Sequence, residues 1–221
     1  MTTIKANGLG RRERRKEETR REILQAAMKL FERKGIFSTT VEEITEAADV
    51  GKGTFFNYFP SKEAILSALA ERQLEVIDRA AAKAAHAASI HPILKEMTRE
   101  LSAAPGRSQL MLRSLLGIVL TNEMLFEIFS RMLREGRKKV AAIIERGQRI
   151  GEVRRDIPAT EIARCLQQAA FGTSYIWAVS PPSALTTWQE RSMELFWRGI
   201  AADAGAGDKQ SQEEMVAHHE S

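Results

Sequence analysis

The sequence has few of the features that mark secreted or membrane-spanning proteins. Cys165 is the only cysteine, so no internal disulfide can form, and no Asn-x-Ser/Thr glycosylation acceptor is present. The longest strongly apolar run, Leu115–Leu120, is far shorter than the ~20 residues that cross a bilayer. These absences predict a cytoplasmic protein in a reducing compartment that makes no membrane contact.

Signals for catalysis, metal binding or a cofactor are also missing. No nucleophile-elbow motif occurs. The segment Gly51–Thr54 does not fit a phosphate-binding loop, because Glu46 stands where the first glycine is expected and no Ser or Thr directly follows Lys52. His86 and His91 are five residues apart, not the three or four that share one helix face. The sequence therefore predicts no catalytic residues, no metal and no cofactor, and a protein that is not an enzyme.

The positive charge is concentrated at one end of the chain. Residues 1–62 contain 13 Lys and Arg against 9 Asp and Glu, whereas residues 63–221 contain 20 of each. Most of the excess lies in residues 11–21, which include seven basic and three acidic side chains. Such a segment can bind a polyanion, or it can be a solvated arm that only increases solubility. The charge pattern alone leaves both interpretations open.

The N-terminal quarter of the chain predicts a basic arm followed by short helices. Residues 1–16 show no apolar period and predict a flexible arm. A first amphipathic helix is expected from the capping box Thr19–Glu22 to Gly35, which would end it as a left-handed C-cap. Its apolar residues recur at helical spacing: Ile23, Ala27, Leu30 and Phe31. A second capping box, Thr40–Glu43, opens a short helix whose expected inward residues are Ile44, Ala47 and Ala48.

A further short helix over 52–59 is expected after a tight turn at Val50–Gly51. Pro60–Ser61 then restarts the chain, with Ser61 as the N-cap of a long helix through Ile77. Two short helices joined by a tight turn are the arrangement of a helix-turn-helix. An ordinary helical hairpin has the same spacing, and it is the alternative interpretation.

The second short helix carries the side chains that DNA binding requires. Lys52 and Lys62 bracket it and can neutralise phosphates, while Gly53 allows the helix start to approach a DNA backbone closely. Neutral donors for phosphates or base edges follow on the same helix: Thr54, Asn57 and Tyr58.

The aromatic residues of this helix divide into two groups. Phe55 and Phe59 are four residues apart and can hold the helix against the preceding ones. This arrangement leaves Phe56 on the exposed side.

The remainder of the chain is helical by pattern and lacks hairpin signals. Five breaks divide it into about six helices: 89–92, 104–107, 121–122, 147–158 and 180–183. The overall prediction is an all-α fold with an N-terminal three-helix DNA-binding domain over 17–77 and a C-terminal helical ligand-binding and dimerisation domain over 78–203. Residues 204–221 are expected to form a disordered tail.

Flexible apolar side chains in the central helices favour a ligand pocket, although each fits an ordinary core equally well. Phe171 and Tyr175 can close such a cavity. Arg113 can receive an anionic ligand or extend to solvent. The predicted lining is Met97, Leu101, Met111, Arg113, Leu116, Met124, Phe129, Phe171 and Tyr175.

The last two long helices, 159–179 and 185–202, are suited to contact a second copy of the chain. They combine small residues with four large ones, Trp188, Leu195, Phe196 and Trp197, and two such pairs can form a four-helix bundle about a two-fold axis.

A series of motifs spans about 50 residues near the N-terminus. The motifs are Ile23-Leu24-Gln25-Ala26-Ala27, Leu30-Phe31, Gly35, Thr40-Val41-Glu42-Glu43-Ile44, Gly53-Thr54-Phe55-Phe56-Asn57-Tyr58-Phe59 and Ser61-Lys62-Glu63. In this order they resemble the N-terminal domain of the tetracycline-repressor (TetR) family. The segment 151–156 also resembles the stretch that precedes the last two long helices of that family. The resemblance implies a homodimer that reads DNA through residues 40–59.

Three positions depart from the family pattern. Asp49 stands where glycine is common, and aspartate tolerates a left-handed turn. Gly51 stands where serine is common, which removes a side-chain cap. Phe56 replaces the usual tyrosine, so a contact with a thymine methyl is expected instead of a phosphate hydrogen bond.

The resulting hypothesis is a transcriptional repressor that leaves a palindromic double-stranded operator when a small apolar or amphipathic effector binds. The expected DNA contacts are Thr40, Lys52, Gly53, Thr54, Phe56, Asn57, Tyr58 and Lys62. The alternative is a helical DNA-bound adaptor or structural protein without an effector.

Overall fold

The computed structural model describes residues 10–103 and 108–202, and most of them are helical. Over this part of the chain there is no β-strand, only one isolated bridge between Val153 and Ala201, so the predicted all-α fold is confirmed. The described helices are α1 (Arg11–Lys34), α2 (Val41–Ala47), α3 (Lys52–Tyr58), α4 (Ile65–Ala85), α5 (His91–Ala103), α6 (Gln109–Thr121), α7 (Glu123–Arg149), α8 (Ala159–Val179) and α9 (Leu185–Ile200).

Most of the expected helix breaks are confirmed. The predicted breaks at 121–122 and 180–183 separate α6 from α7 and α8 from α9. The break at 104–107, the predicted tail and the first nine residues of the predicted arm lie outside the described residues. None of the described helices has the length and apolar character that crossing a bilayer requires.

The chain divides into two compact units. Among the described residues, unit 1 contains 10–71 and 108–129, and unit 2 contains 72–103 and 130–202. The division falls within α4 and within α7. The functional domain boundary expected after residue 77 stays a prediction.

The first helix begins well before the predicted start at Thr19. α1 starts at Arg11, with Gly10 as N-cap and its backbone N–H donating to the Glu13 carboxylate at 3.0 Å. Arg, Lys and Glu favour helix, and neither Gly nor Pro interrupts the chain from Arg11 to Lys34. Residues 11–16, expected as part of a flexible arm, are therefore helical.

Gly35 ends α1 and allows α6 to pack closely within unit 1. Its φ is positive as predicted, but with φ 80° and ψ 165° it lies in an extended conformation rather than the left-handed helical one. A Cβ on this residue would stand only 2.8 Å from the Ser114 Oγ of α6. The buried face of α1 contains the predicted apolar stripe of Ile23, Ala27, Leu30 and Phe31, and Ala26 is buried beside it.

Lys62 fixes the connection between α1 and α2. Its Nζ donates to the backbone carbonyls of Ile36 at 3.0 Å, Phe37 at 3.3 Å and Thr39 at 2.6 Å, and its side chain is only 20% exposed. An ammonium group has three N–H donors, so these carbonyls use its full capacity. The clamp holds the loop that leads into Thr40, and it competes with the phosphate contact predicted for Lys62.

In unit 2 the connection between α7 and α8 holds the start of α5. The Glu152 carboxylate accepts hydrogen bonds from the Ser89 hydroxyl at 2.5 Å and from the backbone N–H groups of Ile90 at 2.6 Å and His91 at 3.4 Å. Amides at a helix start lack intrahelical partners and carry positive partial charge, so a carboxylate stabilises them. The Ala202 N–H donates to the Glu152 carbonyl at 3.0 Å, which ties the residues after α9 to the same connection.

We expect Lys62→Met to lower the free energy of unfolding by about 1–2 kcal/mol, because three loop carbonyls lose their donor while the aliphatic stem is retained. Urea unfolding followed by circular dichroism measures the change. Lys29→Met, on the exposed side of α1, is the matched control and should stay within about 0.5 kcal/mol of wild type.

A different result would show that Lys62 contacts a DNA phosphate. If Lys62→Met left stability unchanged but flattened the slope of log K for DNA against log salt by about 0.9 per subunit, Lys62 would be a phosphate contact rather than a clamp.

Candidate DNA-binding surface

The predicted capping box at the start of α2 is confirmed. The Glu43 N–H donates to the Thr40 hydroxyl at 3.2 Å, and the Thr40 N–H donates to the Glu43 carboxylate at 2.9 Å. Lys34 of α1 also donates to this carboxylate, and this hydrogen bond is the main cause that lowers the pKa of Glu43 to about 2. The Glu43 carboxylate therefore remains ionised at neutral pH, and it joins the end of α1 to the start of α2.

The turn between α2 and α3 has the backbone that the sequence implies. Asp49 adopts a positive φ of 52°, so it takes the left-handed conformation for which glycine is common in the family. The Val50 N–H closes the turn by donating to the Thr45 carbonyl at 3.0 Å. Gly51 is the N-cap of α3 and makes no side-chain cap, as expected.

The inward face of α2 is rotated relative to the prediction. Ile44 is buried and Ala48 half-buried, but Ala47 is exposed and Thr45 is buried in its place. Thr45 tolerates burial because its hydroxyl donates to the Glu42 carbonyl at 2.9 Å.

Two aromatic rings hold α3 against the rest of unit 1. Phe55 and Phe59 are buried as predicted, with ring centroids 6.0 Å apart. The Arg20 guanidinium of α1 lies 5.5 Å from the Phe59 ring centroid, and it pairs with Glu71 at 3.5 Å. These contacts fix which side of α3 faces the protein.

The opposite side of α3 carries the predicted DNA contacts. Lys52, Gly53, Phe56 and Asn57 are exposed, and Thr54 and Tyr58 are half-buried. Phe56 stands edge-on to Phe55 and is 52% exposed. Thr40 is exposed at the start of α2. The structure thus brings six of the eight predicted residues onto one short helix, whereas the Lys62 ammonium points into the α1–α2 loop.

Lys52 has an acidic partner on α2. Its Nζ lies 2.5 Å from the Glu42 carboxylate, and both side chains are more than half exposed. The hydrogen bond from Lys52 lowers the pKa of Glu42. A DNA phosphate that approaches Lys52 must compete with this carboxylate.

Gly53 is not required by the fold. A Cβ on this residue would meet no atom within 4 Å, and its φ is not in the left-handed region. Glycine in a helix destabilises by roughly 0.5–1 kcal/mol relative to alanine, and no packing inside unit 1 compensates for this cost. The close approach of an external surface is a physical reason for glycine at this position.

An open concave surface of about 550 Å³ lies between the α1–α2 loop and α3, and its lining includes Phe37, Thr40, Phe56 and Ser61. Phe37 is 62% exposed and is not among the residues predicted to contact DNA. The sequence feature that could have identified it is an aromatic residue in the short connection between α1 and α2. Its ring lies against Gly117 of α6, where a Cβ would be 3.8 Å from the ring edge.

The structure does not bring the nine predicted ligand residues together within either unit. In unit 1, Met111 is buried, Leu116 and Phe129 are half-buried, and Arg113 and Met124 are exposed. In unit 2, Met97 is buried, Leu101 is half-buried, and Phe171 and Tyr175 are exposed. A crevice beside Met97 measures about 10 Å³, which is room for one water molecule. The ligand pocket stays a prediction.

Comparisons with known sequences identify the segment that contains α2 and α3. The family model described as "Bacterial regulatory proteins, tetR family" matches residues 23–69. The uncharacterized HTH-type transcriptional regulator YuxN of Bacillus subtilis is 48% identical over 50 residues, which are 23% of this chain and 17% of that protein. The HTH-type transcriptional regulator TcmR of Streptomyces glaucescens is 40% identical over 76 residues, 33% of this chain and 34% of TcmR. The chain thus matches about a third or less of these relatives' length.

The likeness among solved structures extends over most of the chain. FadR of Thermus thermophilus, a TetR-family transcriptional repressor in complex with lauroyl-CoA, superposes with a TM-score of 0.56. The two chains are 26% identical, and the superposition covers 80% of this chain and 92% of FadR. The N-terminal match, the geometry of α2 and α3 and the helical fold agree: residues 23–69 are a segment of the tetR family of bacterial regulatory proteins, and the chain has the helical fold of TetR-family regulators.

Proposed function

We propose that this protein is a sequence-specific DNA-binding transcriptional regulator, and more specifically a repressor that leaves a palindromic operator when a small apolar or amphipathic molecule binds. The observation that carries the proposal is the composition of the exposed side of α3. A cation, neutral hydrogen-bond donors and an exposed aromatic ring lie there around Gly53, a glycine that the fold does not require.

The geometry of α3 suits the major groove of DNA. Seven residues give a helix about 10 Å long, and the major groove is about 12 Å wide and admits one helix. Lys52 is placed to contact a phosphate, while Asn57 and Phe56 are placed to contact base edges and thymine methyl groups. Because Phe55 and Phe59 are buried, α3 presents these groups in a fixed orientation.

The apolar surface of α8 supports a homodimer. Four large apolar side chains at i, i+4, i+5 and i+8 are exposed on one side of this helix, and Leu195 of α9 is 70% exposed. A contiguous apolar stripe of this kind marks an interaction site, and a second copy of the same surface can cover it across a two-fold axis. The α8 residues are Phe171, Tyr175, Ile176 and Val179.

The exposed apolar surface of α8 changes which residues we assign to the dimer interface. Trp197 belongs to the buried core of unit 2 and Phe196 packs against that core, so both face their own subunit. Trp188 is half-buried. We therefore assign the interface to the exposed α8 stripe and Leu195.

An amphipathic effector fits the composition of the chain and the ligand of FadR. Lauroyl-CoA has an apolar chain and an anionic head group, and the predicted pocket residues outside the α8 stripe combine methionine side chains and Phe129 with Arg113. The effector can release DNA only if it binds the DNA-free form more tightly than the DNA-bound form.

A DNA-bound adaptor without an effector is the second candidate function. It is favoured by the small size of the crevice beside Met97.

Replacing Gly53 by alanine should separate folding from DNA binding. We expect Gly53→Ala to raise the free energy of unfolding by up to about 1 kcal/mol, because alanine favours helix and meets no clash. We also expect operator affinity to fall by about ten-fold or more, since the added methyl group prevents close approach to the DNA. Thermal unfolding and fluorescence anisotropy with a duplex selected by the wild-type protein measure the two effects.

Gly117→Ala in the middle of α6 is the matched control. Its Cβ makes only ordinary contact with Phe37, so it should gain similar stability and keep wild-type affinity for DNA. Equal DNA affinity of Gly53→Ala and Gly117→Ala would contradict the placement of α3 at the DNA.

The dimer assignment is tested by placing charge on the exposed stripe. We expect Ile176→Asp combined with Leu195→Asp to produce a folded monomer, because unpaired charge in an interface costs several kcal/mol while both sites are solvent-exposed in one subunit. Sedimentation velocity and circular dichroism measure assembly and folding. Leu120→Asp, at an exposed site on α6, should leave the dimer intact. A double variant that stays dimeric would place the interface elsewhere.

The effector is tested through thermodynamic reciprocity. Hydrophobic acids, lipophilic cations and acyl-CoA thioesters are screened by thermal shift, and each hit is titrated again with operator present. A ligand that weakens operator binding 100-fold should itself bind about 2.7 kcal/mol more weakly to the DNA complex. A tight ligand with equal affinity in both titrations would rule out allosteric release and favour the adaptor.

A further inference from the structure

The first turns of α1 project from unit 1 without packing. Residues 11–18 are all exposed, and the first buried residue of the helix is Ile23. Five of these eight residues are Arg or Lys and three are Glu. The segment buries no apolar surface of its own, so packing within unit 1 does not account for its side chains.

Most of the cations in this segment lie on one side of the helix. At about 100° per residue, Arg11, Arg12, Arg15 and Lys16 occupy a sector of about 140° that holds no acidic residue between 11 and 18, while Glu13 and Glu17 lie opposite. We name these four cations the basic stripe. None of them forms an ion pair with another residue within 10–103 or 108–202.

The basic stripe is electrostatically unfavourable in the isolated chain. Arg11 and Arg15, and likewise Arg12 and Lys16, are like charges at i and i+4, which destabilise a helix by roughly 0.2–0.5 kcal/mol per pair. A polyanion laid along the stripe would remove this repulsion. An interfacial membrane helix is a poorer fit, because residues 11–18 contain no apolar side chain that could insert into lipid.

The basic stripe lies one helical turn before the residue of α1 that contacts the end of α3. Arg12, Lys16 and Arg20 follow one another at i, i+4 and i+8, and Arg20 lies over the ring of Phe59, the C-cap of α3. Arg12 of the stripe is about 12 Å along α1 from Arg20. This distance corresponds to about three to four base pairs of DNA at 3.4 Å per base pair.

We propose that the basic stripe is a second DNA-contacting surface, which binds backbone phosphates beside the bases read by α3. Contacts with backbone phosphates are independent of sequence, because every nucleotide carries the same phosphate group. This proposal rests on the proposed DNA-binding function, and it adds to it a longer footprint and a steeper salt dependence.

The test compares two variants that remove the same charge. The stripe variant carries Arg11→Gln, Arg12→Gln, Arg15→Gln and Lys16→Gln, and glutamine maintains the helix. The control variant carries Arg14→Gln, Arg21→Gln, Lys29→Gln and Arg33→Gln, which are exposed on α1 outside the stripe. Full-length proteins are titrated with a 40-base-pair duplex of mixed sequence at several KCl concentrations.

For the stripe variant we expect weaker binding and a log K against log salt slope that is flatter by about 0.9 for each lost phosphate contact in each subunit. The control variant should change the slope by less than half as much. Equal slopes for the two variants would overturn the proposal, as would tighter binding of the wild type to phosphatidylserine vesicles than to the duplex.

A second pair of probes separates this proposal from the proposed function. Duplexes that share a core selected by the wild-type protein, with and without about ten flanking base pairs on each side, should differ in affinity for the wild type and not for the stripe variant. If no core sequence can be selected, the proposal of sequence-specific regulation fails. The titration with the mixed-sequence duplex still tests whether the basic stripe binds phosphates. If a core is selected but the flanks have no effect, the stripe proposal alone fails.

Discussion

The burial of Phe55 and Phe59 is the constraint on which the DNA-binding surface depends. A helix of seven residues is too short to be stable in water, so α3 exists because these two rings pack against the rest of unit 1. Their spacing of four residues places both on one side of the helix, and this orientation leaves Lys52, Gly53, Phe56 and Asn57 exposed. Arg20 extends this anchor by covering the Phe59 ring while it pairs with Glu71.

Three lysines near the DNA-binding surface already have partners within the protein. Lys34 donates to Glu43, Lys52 to Glu42 and Lys62 to three loop carbonyls, so each has a partner before any DNA arrives. Exposed ion pairs contribute little and exchange readily, which leaves Lys52 available to a phosphate, whereas the half-buried Lys62 would leave carbonyls without donors if it moved. Among the described residues, the exposed start of α1 also carries cations that form no ion pair: Arg11, Arg12, Arg15 and Lys16.

Local signals in the sequence predicted local structure well. The capping box at Thr40, the helix end at Gly35 and the burial of Phe55 and Phe59 depend on residues within four positions of one another, so their spacing determines them. The partners of Lys62 lie 23 to 26 residues away, and no periodicity encodes such contacts. The assignment of α6 to unit 1 is equally non-local, and for this reason clustering along the chain did not show that Met97 and Met111 belong to different units. The early start of α1 was missed because charged residues favour helix without producing an apolar period.

Base contacts from α3 and phosphate contacts from the basic stripe would contribute to binding in physically different ways. Base contacts require hydrogen-bond geometry and distinguish one sequence from another, whereas phosphate contacts act on any duplex and weaken as salt is added. Added phosphate contacts raise operator and non-specific affinity by similar factors, so they leave the ratio between the two nearly unchanged. They also accelerate association, because a positively charged surface attracts DNA over distances comparable to the Debye length. The short α3 would therefore provide sequence specificity, whereas the exposed basic start of α1 would provide attraction to DNA of any sequence.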